Sequence, residues 1–249
     1  MEKLKVHGKL LEKYIEESGR APVLLQIKKK YELWANAKDT DTLKKKFIKY
    51  DYFFNEHFNE IGKTLGGRGK FAALIGTRLE EFCYLLFRKK CEGKGMILQR
   101  IAGKNKNILN WIGFDKDSKL LVTGHGADLA IGNWRKLSIK NGVSIGIEDK
   151  DFFIPKIIIE CKQYVSLDMF RDLVTEAGMF KRIYPYVFFI IVCEIMELTD
   201  DFKRMKKALE SDIDGFFAFR PGTRREPGRL IPENINNFEK TINDYIQEL

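Results

Sequence analysis

Over the first 65 residues, apolar positions return at helical spacing. Leu4, Leu10, Leu11, Tyr14 and Ile15 form a stripe that ends near Ser18-Gly19, and Leu24, Ile27, Tyr31 and Trp34 form a second after Ala21-Pro22. A third helix is expected from about Thr40 to Leu65, with many lysines on its open face. Gly66-Gly67-Arg68-Gly69-Lys70 breaks the pattern and reads as a mobile basic loop. Leu74, Ile75, Leu79, Phe82, Leu85 and Leu86 then place a helix over Phe71 to about Lys90.

Beyond that helix the period falls from 3.6 to two. Strands are expected at Met96 to Ile101, Lys119 to Thr123 and Gly126 to Ile131. Leu137 and Ile139, then Asn141-Gly142, then Val143, Ile145 and Ile147 spell a hairpin, because Asn-Gly suits a type I′ turn. Phe152 to Lys162 and Pro185 to Glu194 read as buried strands, joined by a helix from Ser166 to about Ile183 that Ser166 or Asp168 caps. A short helix at 200–210, a strand at 215–219, a basic loop from Arg220 to Arg229 and a helix from about Glu233 to Gln247 complete the chain. Strands in the middle with helices on both sides predict an α/β (α+β) fold, a central mixed β-sheet flanked by helices. The organisation expected is an N-terminal helical lobe over 1–65 and a core over 66–249.

Composition narrows the partners. The 249 residues carry 44 Lys and Arg against 35 Asp and Glu, a formal charge of +9 that favours polyanions. Cys83, Cys91, Cys161 and Cys193 form no C-x-x-C pair, and His7, His57 and His125 do not fall at zinc-ligand spacing, so free thiols in a reducing cytosol are expected. The longest apolar run, Val187 to Cys193, is seven residues, too short for a membrane span, and the N-terminus has no signal-peptide pattern. A soluble, cytoplasmic protein with no membrane partner is the expectation.

The sharpest segment is Lys156-Ile157-Ile158-Ile159-Glu160-Cys161-Lys162. A β-branched run ends abruptly in a carboxylate and an ammonium two residues apart, which places both on one face of a strand. Charges beside a buried run are costly unless paired or bound to a metal. Glu92-Gly93-Lys94 and Glu148-Asp149-Lys150 repeat the pattern only in polar, turn-like contexts. The plainer reading of Glu160 and Lys162 is a salt bridge at a sheet rim. Upstream, Asp128 opens a short strand after Gly124-His125-Gly126-Ala127, where the plainer reading is a turn-capping Asp.

Together, Asp128, Glu160 and Lys162 resemble the active-site pattern of the PD-(D/E)XK nuclease superfamily, in particular type II restriction endonucleases. The resemblance covers about residues 71–195 and includes the helix segment Gly76-Thr77-Arg78-Leu79-Glu80-Glu81-Phe82. It implies a restriction-endonuclease-like core, catalysis by Asp128, Glu160 and Lys162, and Mg²⁺ (with Mn²⁺ able to substitute) held by Asp128, Glu160, the carbonyl of Cys161 and a helix glutamate. Glu80 is the better match for that glutamate and Glu81 the fallback. Ala127 stands where the pattern has proline. The 32 positions from Asp128 to Glu160 exceed a simple hairpin, so the Asn141-Gly142 hairpin is expected as an insertion, with Asp149 and Asp151 as nearer alternatives in a turn.

The function so implied is Mg²⁺-dependent hydrolysis of double-stranded DNA at a short sequence, by a prokaryotic cytoplasmic homodimer paired with a cognate DNA methyltransferase. Arg220, Arg224, Arg225 and Arg229, and Lys136, Lys140 and Asn141 on the hairpin, are candidate DNA contacts, since Arg suits phosphates and guanine edges. A second basic loop, Lys104 to Asn107, has the same chemistry. The rivals are a repair or junction-resolving nuclease on the same core and a non-catalytic DNA-binding protein. Ile61-Gly62-Lys63-Thr64 mimics the tail of a P-loop, but His57 stands at the required glycine and no strand precedes it. His125 is expected in a turn without a metal role, and Trp34, Trp111 and Trp134 in packing.

Overall fold

The computed structural model of the chain describes residues 5–101, 108–114, 120–140, 147–196, 212–223 and 226–249. Five helices come first: α1 (Val6–Glu17), α2 (Pro22–Ala35), α3 (Thr40–Glu56), α4 (Phe58–Leu65) and α5 (Arg68–Gly93). Asp39 caps α3 by accepting from the Thr42 N–H at 2.7 Å. The third expected helix is two, broken at His57. The expected basic loop at 66–70 is a turn of two glycines: Gly66 takes the left-handed conformation (φ 64°) that ends α4, and α5 begins at Arg68.

The strands are β1 (Ile97–Ile101), β2 (Ile108–Phe114), β3 (Leu120–His125), β4 (Ala127–Lys140), β5 (Ile147–Val165), β6 (Phe188–Met196) and β7 (Gly215–Arg220), with α6 (Leu167–Ile183) after β5 and α7 (Pro232–Glu248) last. β5 is the axis of the sheet. β4 pairs antiparallel along one of its edges, and β1 pairs antiparallel to β4. The other edge of β5 meets β2 at Phe153 and then β6 in parallel from Ile157 onward, with β7 parallel beyond β6.

The Asn-Gly hairpin is not an insertion. Lys140↔Ile147 and Leu129↔Ile159 belong to one continuous β4–β5 pairing, so the separation of Asp128 from Glu160 is a single long hairpin. Its turn, including Asn141, lies outside the described residues. The ladder slips by one at Gly132↔Pro155, where proline offers no N–H. A Cβ at Gly132 would stand 2.1 Å from the Ile154 carbonyl oxygen, so only glycine fits that approach. Asp149 and Asp151 lie in β5 rather than in a turn. The expected helix at 200–210 and the Lys104–Asn107 loop lie outside the described residues.

Two apolar layers cover the sheet. Leu129, Ile131, Ile157 and Ile159 pack with α5, α7 and the N-terminal helices in one core, in which Phe47 of α3 stacks on Phe82 of α5 with centroids 3.9 Å apart. Ala130, Ile158 and Phe189 pack against Phe170, Leu173 and Phe180 of α6 on the other side. Within the first layer four buried charges meet: Asp51 (α3), Arg78 (α5), Glu194 (β6) and Arg220 (β7). Arg78 binds Glu194 and lies 3.1 Å from Asp51, while Arg220 lies 2.5 Å from Asp51 and 3.2 Å from Glu194. Two cations and two anions balance in the place where the helical lobe joins the ends of β6 and β7.

Truncating one member leaves an uncompensated buried charge. Asp51→Ala is therefore expected to lower unfolding stability by about 3–5 kcal/mol, measured by urea denaturation. A loss under about 1 kcal/mol, the range of an exposed pair, would show the quartet to be energetically idle.

Candidate active site

The β4–β5 ladder reaches Leu129↔Ile159, and beyond it side chains take over. Asp128 Oδ2 accepts the Cys161 N–H at 2.9 Å, and Glu160 Oε1 accepts the Asp128 N–H at 3.3 Å. Each carboxylate thus replaces a carbonyl that the strands no longer supply. Lys162 Nζ then bridges the two, donating to Asp128 Oδ2 at 3.0 Å and Glu160 Oε2 at 2.6 Å. Glu160 is buried, and Asp128 and Lys162 are partly open to solvent. The three residues expected to act together meet where the β4–β5 ladder ends.

Glu80 on α5 feels the charge of Asp128. Burial, then the nearby Asp128 carboxylate, push its pKa up to about 7 against the pull of Arg100. Its Oε2 lies 2.7 Å from Arg100 Nε, yet that buried oxygen has no partner in hydrogen-bond geometry. Burial and then Asp128 also drive the Glu160 pKa upward, against Lys162. Burial alone would lower the Lys162 pKa, but Glu160 and Asp128 together raise it, so the ammonium stays protonated.

Glu81, the fallback, points elsewhere. It accepts from the His7 N–H at 2.8 Å, the Gly8 N–H at 3.3 Å and the Tyr31 hydroxyl at 2.6 Å, so it ties α1 and α2 to α5. Successive helix residues diverge by about 100°, which sends neighbouring glutamates to different bodies. The Cys161 thiol is buried in the layer that contains Cys83 and α5, and burial keeps it protonated. His125 Nε2 lies 2.8 Å from Glu176 Oε1 of α6.

The expected DNA contacts separate. Arg220 belongs to the buried quartet, so its guanidinium is enclosed between Asp51 and Glu194 rather than offered to DNA. Arg229 is exposed, with its guanidinium 5.1 Å above the Tyr52 ring. Arg224 and Arg225 lie outside the described residues. Lys136 is exposed on β4, eight residues from Asp128, a distance of about 26 Å along the strand. It stands on the ribbon leading away from the carboxylates. Lys140 ends that strand. Trp34 is buried and Trp134 packs edge-on to Phe153, both as expected of packing residues. The P-loop mimic is part of α4.

The donor set fits a hard divalent cation. Asp128, Glu160 and Glu80 offer carboxylate oxygen, and Cys161 a backbone carbonyl, the ligand type Mg²⁺ takes while keeping several waters. Burial and the neighbouring Asp128 carboxylate raise the pKa values of Glu80 and Glu160, the response of carboxylates short of a counter-charge. Among the described residues no group of three or more His, Cys, Asp or Glu that could hold a metal ion is found. With a cation that retains its waters, fewer protein ligands suffice.

Asp128 and Glu160 stand on two inner strands of a central mixed sheet flanked by helices, and the fold is restriction-endonuclease-like. A chain of the native BbvCI A2B2 tetramer aligns over 98% of this chain and 96% of its own, with a TM-score of 0.68 and 14% identity. At that identity the likeness establishes the fold alone. No protein-family model and no curated protein matches the sequence. Among the described residues no helix is long and apolar enough to cross a membrane.

The raised pKa of Glu80 has a thermodynamic consequence. A group held above its unfolded value contributes stability below that value and loses it as pH rises through the folded one. In EDTA the protein is expected to lose about 3 kcal/mol more than a Glu80→Gln variant between pH 4.5 and 8. Urea denaturation across that range measures it, and parallel pH profiles for the two proteins would contradict the burial of an ionisable Glu80.

Proposed function

We propose that this protein is a divalent-metal-dependent endonuclease of the restriction type, cutting double-stranded DNA at a short sequence. The observation that carries the reading is the reciprocal clasp of Asp128 and Glu160 bridged by Lys162, at the end of a ladder in a restriction-endonuclease-like fold. A structural ion pair would need one carboxylate. Two carboxylates share one ammonium, and Glu80 nearby pairs with Arg100; the raised pKa values of Glu80 and Glu160 are what a bound cation would reverse.

Asp128 and Glu160, with the Cys161 carbonyl and Glu80, are the ligands proposed for Mg²⁺, or Mn²⁺ in its place. When bound, the metal supplies Lewis acidity at a phosphate oxygen and lowers the pKa of its water. Lys162 uses two of its three N–H groups on the carboxylates. The third is free to orient the attacking water or to meet charge developing on phosphorus-bound oxygen.

A two-fold target is best met by a two-fold protein, so a homodimer is the assembly proposed. The solved structure it resembles is itself a multi-chain assembly. A cytoplasmic restriction enzyme of a prokaryote also needs a partner methyltransferase to protect host DNA, and that pairing belongs to the same proposal.

Digestion of a plasmid of known sequence in Mg²⁺ or Mn²⁺, with fragment ends mapped, tests the reading. Discrete fragments with common end sequences are expected. Glu160→Gln and Lys162→Ala should each slow cutting by roughly 10²- to 10⁴-fold, while gel-shift affinity in Ca²⁺ changes little. Cutting at the unaltered rate by either variant would remove these residues from the chemistry. A gel shift without cutting in any divalent metal would instead favour a DNA-binding protein.

A further inference from the structure

We infer that Arg100 is a phosphate-binding residue of this site, parked on Glu80 until the DNA backbone arrives. The inference rests on the nuclease reading above and adds to it a side chain outside the Asp-Glu-Lys pattern.

Strand β1 brings Arg100 to the carboxylates beside an irregularity in β4. Gln99 pairs with Ala130 and Ile101 with Ala127, so Arg100 alone stands opposite both Asp128 and Leu129, and the extra residue belongs to β4. Such a bulge re-aims a side chain of the bulged strand, here at Asp128, and bulges are frequent beside active sites. Arg100 keeps the ordinary alternation of β1 and lies on the face of Leu98, which packs with α5. Arg100 stays about one-third exposed, whereas Glu80 is nearly covered, so the cation faces the opening and the anion the interior.

The Arg100–Glu80 contact is close but poorly formed. Nε stands 2.7 Å from Oε2, yet that oxygen lacks a partner in hydrogen-bond geometry. A guanidinium has five N–H donors in a planar fork, and Nε accounts for one of them. The fork is therefore open for a second, planar anion. A phosphodiester offers two non-bridging oxygens at the spacing Arg engages bidentately. Glu80 holds the side chain by charge at Nε and leaves the N–H groups of the two terminal nitrogens for the phosphate. Arg78 and Arg220, the other arginines at this end of the sheet, are enclosed in the buried quartet.

Arg100→Ala and Arg100→Lys, compared with the unaltered protein, test the inference with three readouts. Single-turnover plasmid cleavage in Mg²⁺ should fall by about 10²- to 10³-fold in Arg100→Ala and less in Arg100→Lys, which keeps charge but loses the fork. Mn²⁺ affinity without DNA, by titration calorimetry, should be unchanged or tighter in Arg100→Ala, because a competing cation leaves Glu80. The salt dependence of duplex binding in Ca²⁺ should flatten by about 0.9 in log–log slope, the loss of one phosphate contact. A fall in Mn²⁺ affinity matching the fall in rate would overturn the inference, since Arg100 would then only hold Glu80 in place. So would an unaltered salt slope. If the unaltered protein cuts nothing, the nuclease reading fails on that arm, and the salt slope still decides whether Arg100 meets a phosphate.

Discussion

The site depends on where one hydrogen-bond ladder stops. Strands β4 and β5 pair without interruption of direction from Lys140↔Ile147 to Leu129↔Ile159, and one residue further on the backbone partners are replaced by the carboxylates of Asp128 and Glu160. The exchange fixes both side chains through main-chain donors, so their separation is set by strand geometry rather than by rotamer choice. It also forces two anions together in a covered place, which is tolerable only because Lys162 reaches both. Glu80, and Arg100 opposite the β4 bulge, add one more charge of each sign around that arrangement.

Helix α5 is the shaft on which the rest is mounted. Arg78 enters the buried quartet, Glu80 faces the strands and Glu81 anchors α1 and α2. Three positions of one helix thus serve the sheet, the site and the N-terminal helices. The apolar core has the same continuity, running from Leu11 and Trp34 through Phe82 to Phe219 and Phe238. The helical lobe shares its packing with the sheet that carries the carboxylates.

What was legible in the sequence had short range. The aliphatic run ending in Glu160-Cys161-Lys162, the capping Ser166 and the two buried strands all express local periodicity. Pairings that span the chain leave no such trace. Arg220 sits in a run rich in Arg, Gly and Pro and reads as surface, because its anion, Asp51, lies 169 positions away. The glutamate ending the β6 apolar run, Glu194, carried the same abrupt signature as Glu160, and that signal could have pointed to the quartet. Strand β2 escaped because Asn110 and Gly113 interrupt its alternation. The hairpin looked like an insertion because nothing in the local pattern says that both of its arms continue into the strands bearing Asp128 and Glu160.

The enclosed quartet also separates two kinds of electrostatics by their response to ionic strength. Mobile ions screen charges they can approach, and Asp51, Arg78, Glu194 and Arg220 admit none. Concentrated salt should therefore weaken the pairs that solvent reaches, such as Lys70–Glu17, while the junction between the N-terminal helices and the sheet stays locked.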